Sequence, residues 1–251
     1  MRRRSILAAG LGGMGLAVLG RRAGAEAAPL RMGYSESASP YSSQGPDGRA
    51  KGLLVDAVDL VASRGGIAIS HQAFPWARTQ WMVERGELDG FCTVPTPERQ
   101  AYALFTAAPL VILRYGIFHR TDDRRPAMVR SMADLPSFAQ GNYLGHGWAK
   151  QNLAGQDIHW LADEDGVLRM VAMGRLDIYI AAELATMLKL REIGLADKIA
   201  FTPAPFLPTA DFHLGLRRSH SDAERVVAAI DKAILEARQD GSLDRRIAAY
   251  R

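Results

Sequence analysis

One segment constrains this chain more than any other: Gly86-Glu87-Leu88-Asp89-Gly90-Phe91-Cys92-Thr93-Val94-Pro95-Thr96-Pro97-Glu98-Arg99. A polar helix end runs into a short apolar strand, and the strand runs into a Thr/Pro loop that ends on an arginine. That layout puts a guanidinium at the carboxyl end of a strand, where open α/β sheets bind ligands. A guanidinium there can hold a carboxylate through two parallel, charge-assisted hydrogen bonds. The segment also has an echo. Gly174-Arg175-Leu176-Asp177, followed by the apolar Ile178-Tyr179-Ile180, repeats Gly86-Glu87-Leu88-Asp89 at an offset of 88 residues. Two similar α/β units in one chain predict two lobes facing one site.

The first residues read as an export signal and not as fold. Arg2, Arg3 and Arg4 precede a 14-residue apolar run, Ile6 to Leu19, which is short and Gly-rich for a membrane span. Ala23-Gly24-Ala25 and Ala25-Glu26-Ala27 offer small-x-small cleavage sites, so residues 1–27 are expected to be removed and the mature chain to be periplasmic. Arg3-Arg4-Ser5-Ile6-Leu7 is similar to a twin-arginine signal. Gly10-Leu11-Gly12-Gly13-Met14-Gly15 matches the dinucleotide fingerprint by letter, but no strand can precede it within nine residues.

Removing the signal changes the charge argument. The full chain has 31 basic and 27 acidic residues, and residues 1–25 hold five arginines and no acid. The mature chain is therefore close to neutral, which argues against nucleic acid as a partner. It has one cysteine, Cys92, so no intramolecular disulfide can form. No later apolar run reaches spanning length.

Along the chain the pattern reads β-α-β-α-β. Leu30–Tyr34 is a strand, Leu53–Ala62 a helix stopped by Gly65-Gly66, and Ile67–Phe74 a strand. Pro75 starts a helix running to Gly86, and Leu88–Val94 is the next strand. The run from Pro109 to Phe118 is extended. A second unit follows, with a strand at Asn142–Gly145, a turn into a helix at His146-Gly147-Trp148, and a helix over Val167–Met173. A strand over Leu176–Ala181 and a helix over Glu183–Ile193 complete it. The chain then returns through the strand Phe212–Leu216 to two closing helices. This order predicts parallel sheets.

The motifs in this order resemble the type 2 periplasmic solute-binding proteins, in particular family 3, which serves polar amino-acid transporters. The matching pieces are Leu30-Arg31-Met32-Gly33-Tyr34 with Ser39-Pro40-Tyr41-Ser42, Gly52 to Val58, Pro75-Trp76, and Thr96-Pro97-Glu98-Arg99. Further on they are Phe105 to Pro109, Gly174 to Asp177, and Asp240-Gly241-Ser242-Leu243. The resemblance implies an α/β fold of two Rossmann-like lobes joined by two extended hinge segments near 109–113 and 204–211. Lobe 1 would comprise residues 28–110 and 208–251, and lobe 2 residues 111–207. It also implies a small-molecule ligand, an organic anion or amino-acid-like, captured in the cleft by hinge closure. A monomer would then deliver that ligand to the membrane permease of an ABC transporter.

In similar proteins the arginine at the position of Arg99 holds the ligand carboxylate. His146, Gly147 and Trp148, at a strand-to-helix turn, are expected to clamp the same group from the other lobe through free backbone N–H groups. Trp76 stands where related proteins cover the ligand with an aromatic ring, whereas Trp81 is expected in the core. Tyr34, Arg78, Thr93 and Thr96 are further contact candidates. Amino-acid binders of this type hold the ligand ammonium with two acids, and by alignment Ser35 and Ala182 occupy those positions. Glu36 and Glu183 are each one residue away. With the anion half kept and the ammonium half lost, the ligand is expected to be a small carboxylate other than a standard α-amino acid.

An enzyme is the main rival, since some relatives are periplasmic dehydratases, and an accessory or sensory binding protein is the other. No G-x-S-x-G or H-E-x-x-H motif occurs, and the six histidines show no metal-ligand spacing. Neither catalytic residues nor a cofactor or metal are expected.

Overall fold

The computed structural model describes residues 28–250. The expected signal peptide, residues 1–27 with its arginine pair, lies outside the described residues.

The first unit runs β1 (Leu30–Ser35), β2 (Ser37–Ala38), β3 (Ser42–Gln44), β4 (Ala50–Lys51), α1 (Leu53–Arg64), β5 (Ile69–Phe74), α2 (Trp76–Arg85), β6 (Gly90–Thr93), α3 (Pro97–Tyr102), β7 (Ala103–Phe105) and β8 (Val111–Leu113). The second runs β9 (Tyr115–Arg120), β10 (Gln140–Tyr143), α4 (Gly147–Asn152), β11 (Ile158–Leu161), α5 (Glu164–Ala172), β12 (Ile178–Ala182), α6 (Glu183–Glu192) and β13 (Ile199–Pro203). The chain closes with β14 (Ala210–Arg217), α7 (Ala223–Gln239) and α8 (Ser242–Ala248).

Two sheets result. One has the order β5-β1-β6-β14-β7, with β8 paired to β14, and the other has the order β11-β10-β12-β9-β13. β1, β5 and β6 are parallel, as are β10, β11 and β12. The polar stretch after β1, read as a loop, forms a small antiparallel sheet of β2, β3 and β4. The core of the first unit packs α1 and α7 over its sheet, with Leu53, Val58, Val61, Ile230 and Ile234 fully buried. Each such side chain contributes roughly 1.5–3 kcal/mol through removal from water.

The repeated Gly-x-Leu-Asp segments do the same structural work in both units. Gly86, at φ 81°, ends α2 in the left-handed region, and Gly174 has φ 68° after α5. Leu88 and Leu176 are buried. The aspartates then lock the neighbouring strand by reciprocal hydrogen bonds. The Asp89 N–H donates to the Arg31 carbonyl at 2.8 Å, and the Arg31 N–H donates to Asp89 Oδ2 at 2.9 Å. The Asp177 N–H donates to the Ala139 carbonyl at 2.8 Å, and the Ala139 N–H donates to Asp177 Oδ2 at 2.8 Å. The echo thus marks the joints between parallel strands in two mixed sheets.

Two details differ from expectation. Trp81 is 49% exposed, because α2 turns Thr79, Met82 and Val83 to the core and leaves Trp81 on the outer face under Arg85. Pro75 caps α2 at its N-terminus and is not its first helical residue.

Candidate functional site between two sheet edges

The topology determines which edges face each other. Thr93, the last residue of β6, pairs with His213, so the start of β14 projects beyond the carboxyl end of β6. There it pairs with β8, Leu113 opposite Ala210. In the second sheet Tyr115, the first residue of β9, pairs with Ala182, the last of β12, and Pro203 pairs with Gly116. The passages between sheets are therefore Arg114 and residues 204–209. Both join the carboxyl edges of the parallel strands, and these edges border one crevice, where α/β folds place ligands. Tyr41 spans it beside the passages. It stacks on Phe212 with centroids 6.0 Å apart and lines a small pocket together with Glu183 and Leu184 of α6.

On the first edge three residues converge. The loop after β6 leads through Thr96, whose hydroxyl accepts from the Arg99 N–H at 3.4 Å and caps α3. This aims Arg99 back at the sheet edge. Its Nε donates to Gln80 Oε1 at 2.9 Å and its Nη1 to the Val94 carbonyl at 2.8 Å. The guanidinium lies 5.3 Å from the Trp76 ring centroid. Trp76 and Gln80 are four residues apart on α2, hence on one helix face. Burial lowers the basicity of Arg99 somewhat, but an arginine stays charged. Both hydrogen-bond partners are neutral, and the ion pairs among the described residues do not include Arg99.

The other first-lobe candidates fall differently. Ser35 ends β1, and its hydroxyl accepts from the Ser37 N–H at 3.4 Å. Glu36 follows it, half-buried, with its backbone tied to Phe74 and Gln44. Thr93 is buried in its strand. Arg78 is exposed and lies over the Phe74 ring at 5.1 Å. Tyr34 is not a cleft residue. Its ring is 1% exposed, its hydroxyl contacts His71 Nδ1 at 2.9 Å, and burial pushes its pKa up. Period-two alternation turns this side chain into the core beneath α1.

On the second edge the site is aromatic. β10 ends at Tyr143, Gly145 takes φ 94° to make the turn, and His146 caps α4. The His146 ring lies parallel to Tyr143, with centroids 4.9 Å apart, and Trp148 stacks on Tyr115 at 3.7 Å. His146 Nδ1 sits 2.7 Å from Asn142 Oδ1, and burial lowers the imidazole pKa to about 4. The ring is therefore neutral near pH 7. α4 is only six residues long. The side chains at His146-Gly147-Trp148, where backbone N–H groups are expected to clamp the ligand, thus form a neutral, desolvated aromatic wall, whose Trp148 Nε1 is buried without a hydrogen-bond partner among the described residues. Glu183 heads α6, its N–H donating to the Arg114 carbonyl at 3.0 Å. It lines a 550 Å³ cavity along the passages together with Arg114, Tyr115 and Phe201.

Reasoning from the sequence missed Gln80, Asn142, Tyr115 and Tyr143. The four-residue step from Trp76 signals Gln80, and the step from Asn142 to His146 is also four residues. Tyr115 carries no local signal, since only the sheet register brings it to Trp148. Among the described residues no group of three His, Cys, Asp or Glu could hold a metal ion, and no helix is long and apolar enough to cross a membrane.

Two α/β sheets joined at their carboxyl edges, with candidate binding groups on both, define a type 2 periplasmic binding protein fold. The chain belongs to the bacterial extracellular solute-binding proteins, family 3, whose model matches residues 30–250. It is similar to the L-cystine-binding protein TcyJ of Escherichia coli (strain K12), with 24% identity over 224 residues, covering 87% of this chain and 80% of that protein. Among solved structures it is similar to the unliganded, open L-cystine solute receptor of Neisseria gonorrhoeae, at a TM-score of 0.71 and 19% identity. That match covers 88% of this chain and 92% of the receptor. An ancestral cyclohexadienyl dehydratase matches at a TM-score of 0.61 and 18% identity, covering 88% of this chain and 92% of its own. At these identities the solved structures speak for the fold.

Proposed function

We propose that this protein captures a small carboxylate-bearing solute in the periplasm and hands it to the membrane permease of an ABC transporter. One lobe, residues 28–110 and 208–251, supplies Arg99 and Trp76. The other, residues 111–207, supplies the wall around His146 and Trp148, and the two close on the ligand about the passages at Arg114 and 204–209. The observation that carries this reading is the state of Arg99. Its guanidinium is oriented by Gln80, the Val94 carbonyl and Trp76, yet among the described residues no carboxylate lies within ion-pair distance, and Glu98 acts on it only from farther off. Half-burying a cation without an anion is costly unless a ligand supplies one. The family and the cystine-binding relatives agree with a small amino-acid-like solute.

Catalysis is the weaker reading. A general acid or base works best with a pKa near the working pH. The imidazole at the crevice titrates near 4.

A thermal-shift screen of the mature protein against organic acids, amino acids and amines tests the proposal. A ligand that binds only the folded form raises the melting temperature. Carboxylates are expected to score, and Arg99→Ala to abolish the shift. A normal shift in that variant refutes the clamp.

A further inference from the structure

The second lobe contains an acceptor whose protonation the protein itself dictates. Asn142 is fully buried. Its Oδ1 accepts from the Tyr143 N–H at 3.0 Å, and its Nδ2 donates to the Ile180 carbonyl at 3.2 Å. These two backbone contacts fix which end of the amide is oxygen. His146 Nδ1, 2.7 Å from that oxygen, must then be the nitrogen that carries the hydrogen. In a neutral imidazole the lone pair is left on Nε2. Tyr143 stacks parallel to the ring, with Tyr115 and Trp148 beside it, and turning the ring over would break the Asn142 bond.

The neutral form is the one the surroundings favour. Burial among aromatic rings brings the pKa to about 4. Tyr143 and Tyr179 have pKa values raised by burial and stay uncharged. The carboxylate whose charge acts on both tyrosines, Glu164, accepts from the Tyr179 and Thr186 hydroxyls at 3.0 and 2.9 Å. A lone pair on Nε2 attracts an N–H or O–H group and repels a carboxylate oxygen.

Resting on the reading of Arg99 as the carboxylate grip, we infer that His146 Nε2 is the specificity contact of the second lobe, and that it selects carboxylates that also carry an N–H or O–H donor. Ser35 and Ala182 remove the acids with which relatives would hold an ammonium group. His146 supplies instead a neutral acceptor, which suits a hydroxyl or amine donor without demanding a full positive charge. Asn142 is the positioning residue, since it sets the tautomer without touching the ligand.

The test uses matched carboxylate pairs: lactate against pyruvate, 2-hydroxyglutarate against 2-oxoglutarate, and succinamate against monomethyl succinate. Dissociation constants are measured by calorimetry on the mature protein, on Arg99→Ala and on His146→Phe. Within any pair that binds, the donor-bearing member is expected to bind about tenfold tighter or more, because its analogue leaves a desolvated acceptor unpaired. His146→Phe, which keeps an aromatic ring but removes the lone pair, should erase that preference while binding still depends on Arg99. Equal affinities within the pairs, with Arg99→Ala abolishing both, overturn the role of His146 and leave the carboxylate grip standing. Binding unaffected by Arg99→Ala overturns the grip and this inference with it. Long-range proton–nitrogen NMR correlations of the ligand-free wild type give an independent reading. A hydrogen on His146 Nε2 at pH 7 refutes the tautomer whatever the variants do.

Discussion

Replacing Asp89 with Asn should weaken the fold by an amount that depends on pH. Burial pushes this carboxyl up, but the Arg31 guanidinium and N–H, together with Arg217, outweigh burial and bring its pKa from 3.8 to about 2. Arg31 Nε lies 3.0 Å from Oδ2, and Arg217 Nη2 lies 3.2 Å from Oδ1. The side chain thus ties the first strand of the sheet to β14 through two cations. At roughly 1.4 kcal/mol per decade the shift corresponds to ~2 kcal/mol. The Arg31 side chain is 43% exposed, so solvent screening reduces the expected loss at pH 7 to about 1–2 kcal/mol. Because the folded pKa is lowered, the stabilisation is complete above pH 4 and disappears as pH falls from about 4 to 2. Urea unfolding of both proteins at pH 7, 5, 3.5 and 2.5 measures it. The gap between them should stay constant from pH 7 to 5 and shrink below pH 4. A gap that does not change down to pH 2.5 would show that the loss comes from packing or hydrogen-bond geometry and would refute the electrostatic account.

Three further outcomes follow from the same geometry. Gly90→Ala would drive a methyl into the Gly215 carbonyl of the paired strand, with the Met32 sulfur at 2.9 Å behind it. Backbone cannot yield as a side chain does, so a loss of about 3 kcal/mol or more is expected in chemical denaturation. Cys92 is buried and its thiol pKa is raised by burial, so an aromatic disulfide reagent should react with it only after unfolding. Gln80→Leu should loosen Arg99 without removing its charge. Carboxylate affinity should then fall by about three- to tenfold, as expected when one hydrogen bond is lost, with little change in melting temperature of the ligand-free protein.

The order of strands and helices is legible in this sequence because parallel strands buried on both faces are nearly continuous apolar runs, as at Leu30–Tyr34 and Ile178–Ala181. In the second sheet the strands that escape are β11 and β13, its two edges. An edge strand packs against one neighbour only, and these two are largely half-exposed, so neither has the apolar density to stand out. The site divides along similar lines. Arg99 and Trp76 sit at strand ends and helix starts, which local sequence marks. The pairing of Tyr115 with Trp148 depends on register between strands far apart in sequence. The protonation of His146 depends on an amide four residues back. Charge and tautomer come from tertiary burial, and no run of letters encodes them directly.

The placement of β14 has a consequence for how the molecule is assembled. This strand lies between β6 and β7, and α7 and α8 pack on α1. Until residues 210–217 emerge, β6 has an open flank and β7 has no partner in its sheet. The second sheet, by contrast, draws all its strands from residues 115–203 and is complete in one continuous stretch of chain. Its long-range pairings close shorter loops than the one that brings β14 back to β6. During synthesis the aromatic jaw can therefore form first, as a unit of its own. The jaw bearing Arg99 is the last part of the molecule to close, although its sequence comes first.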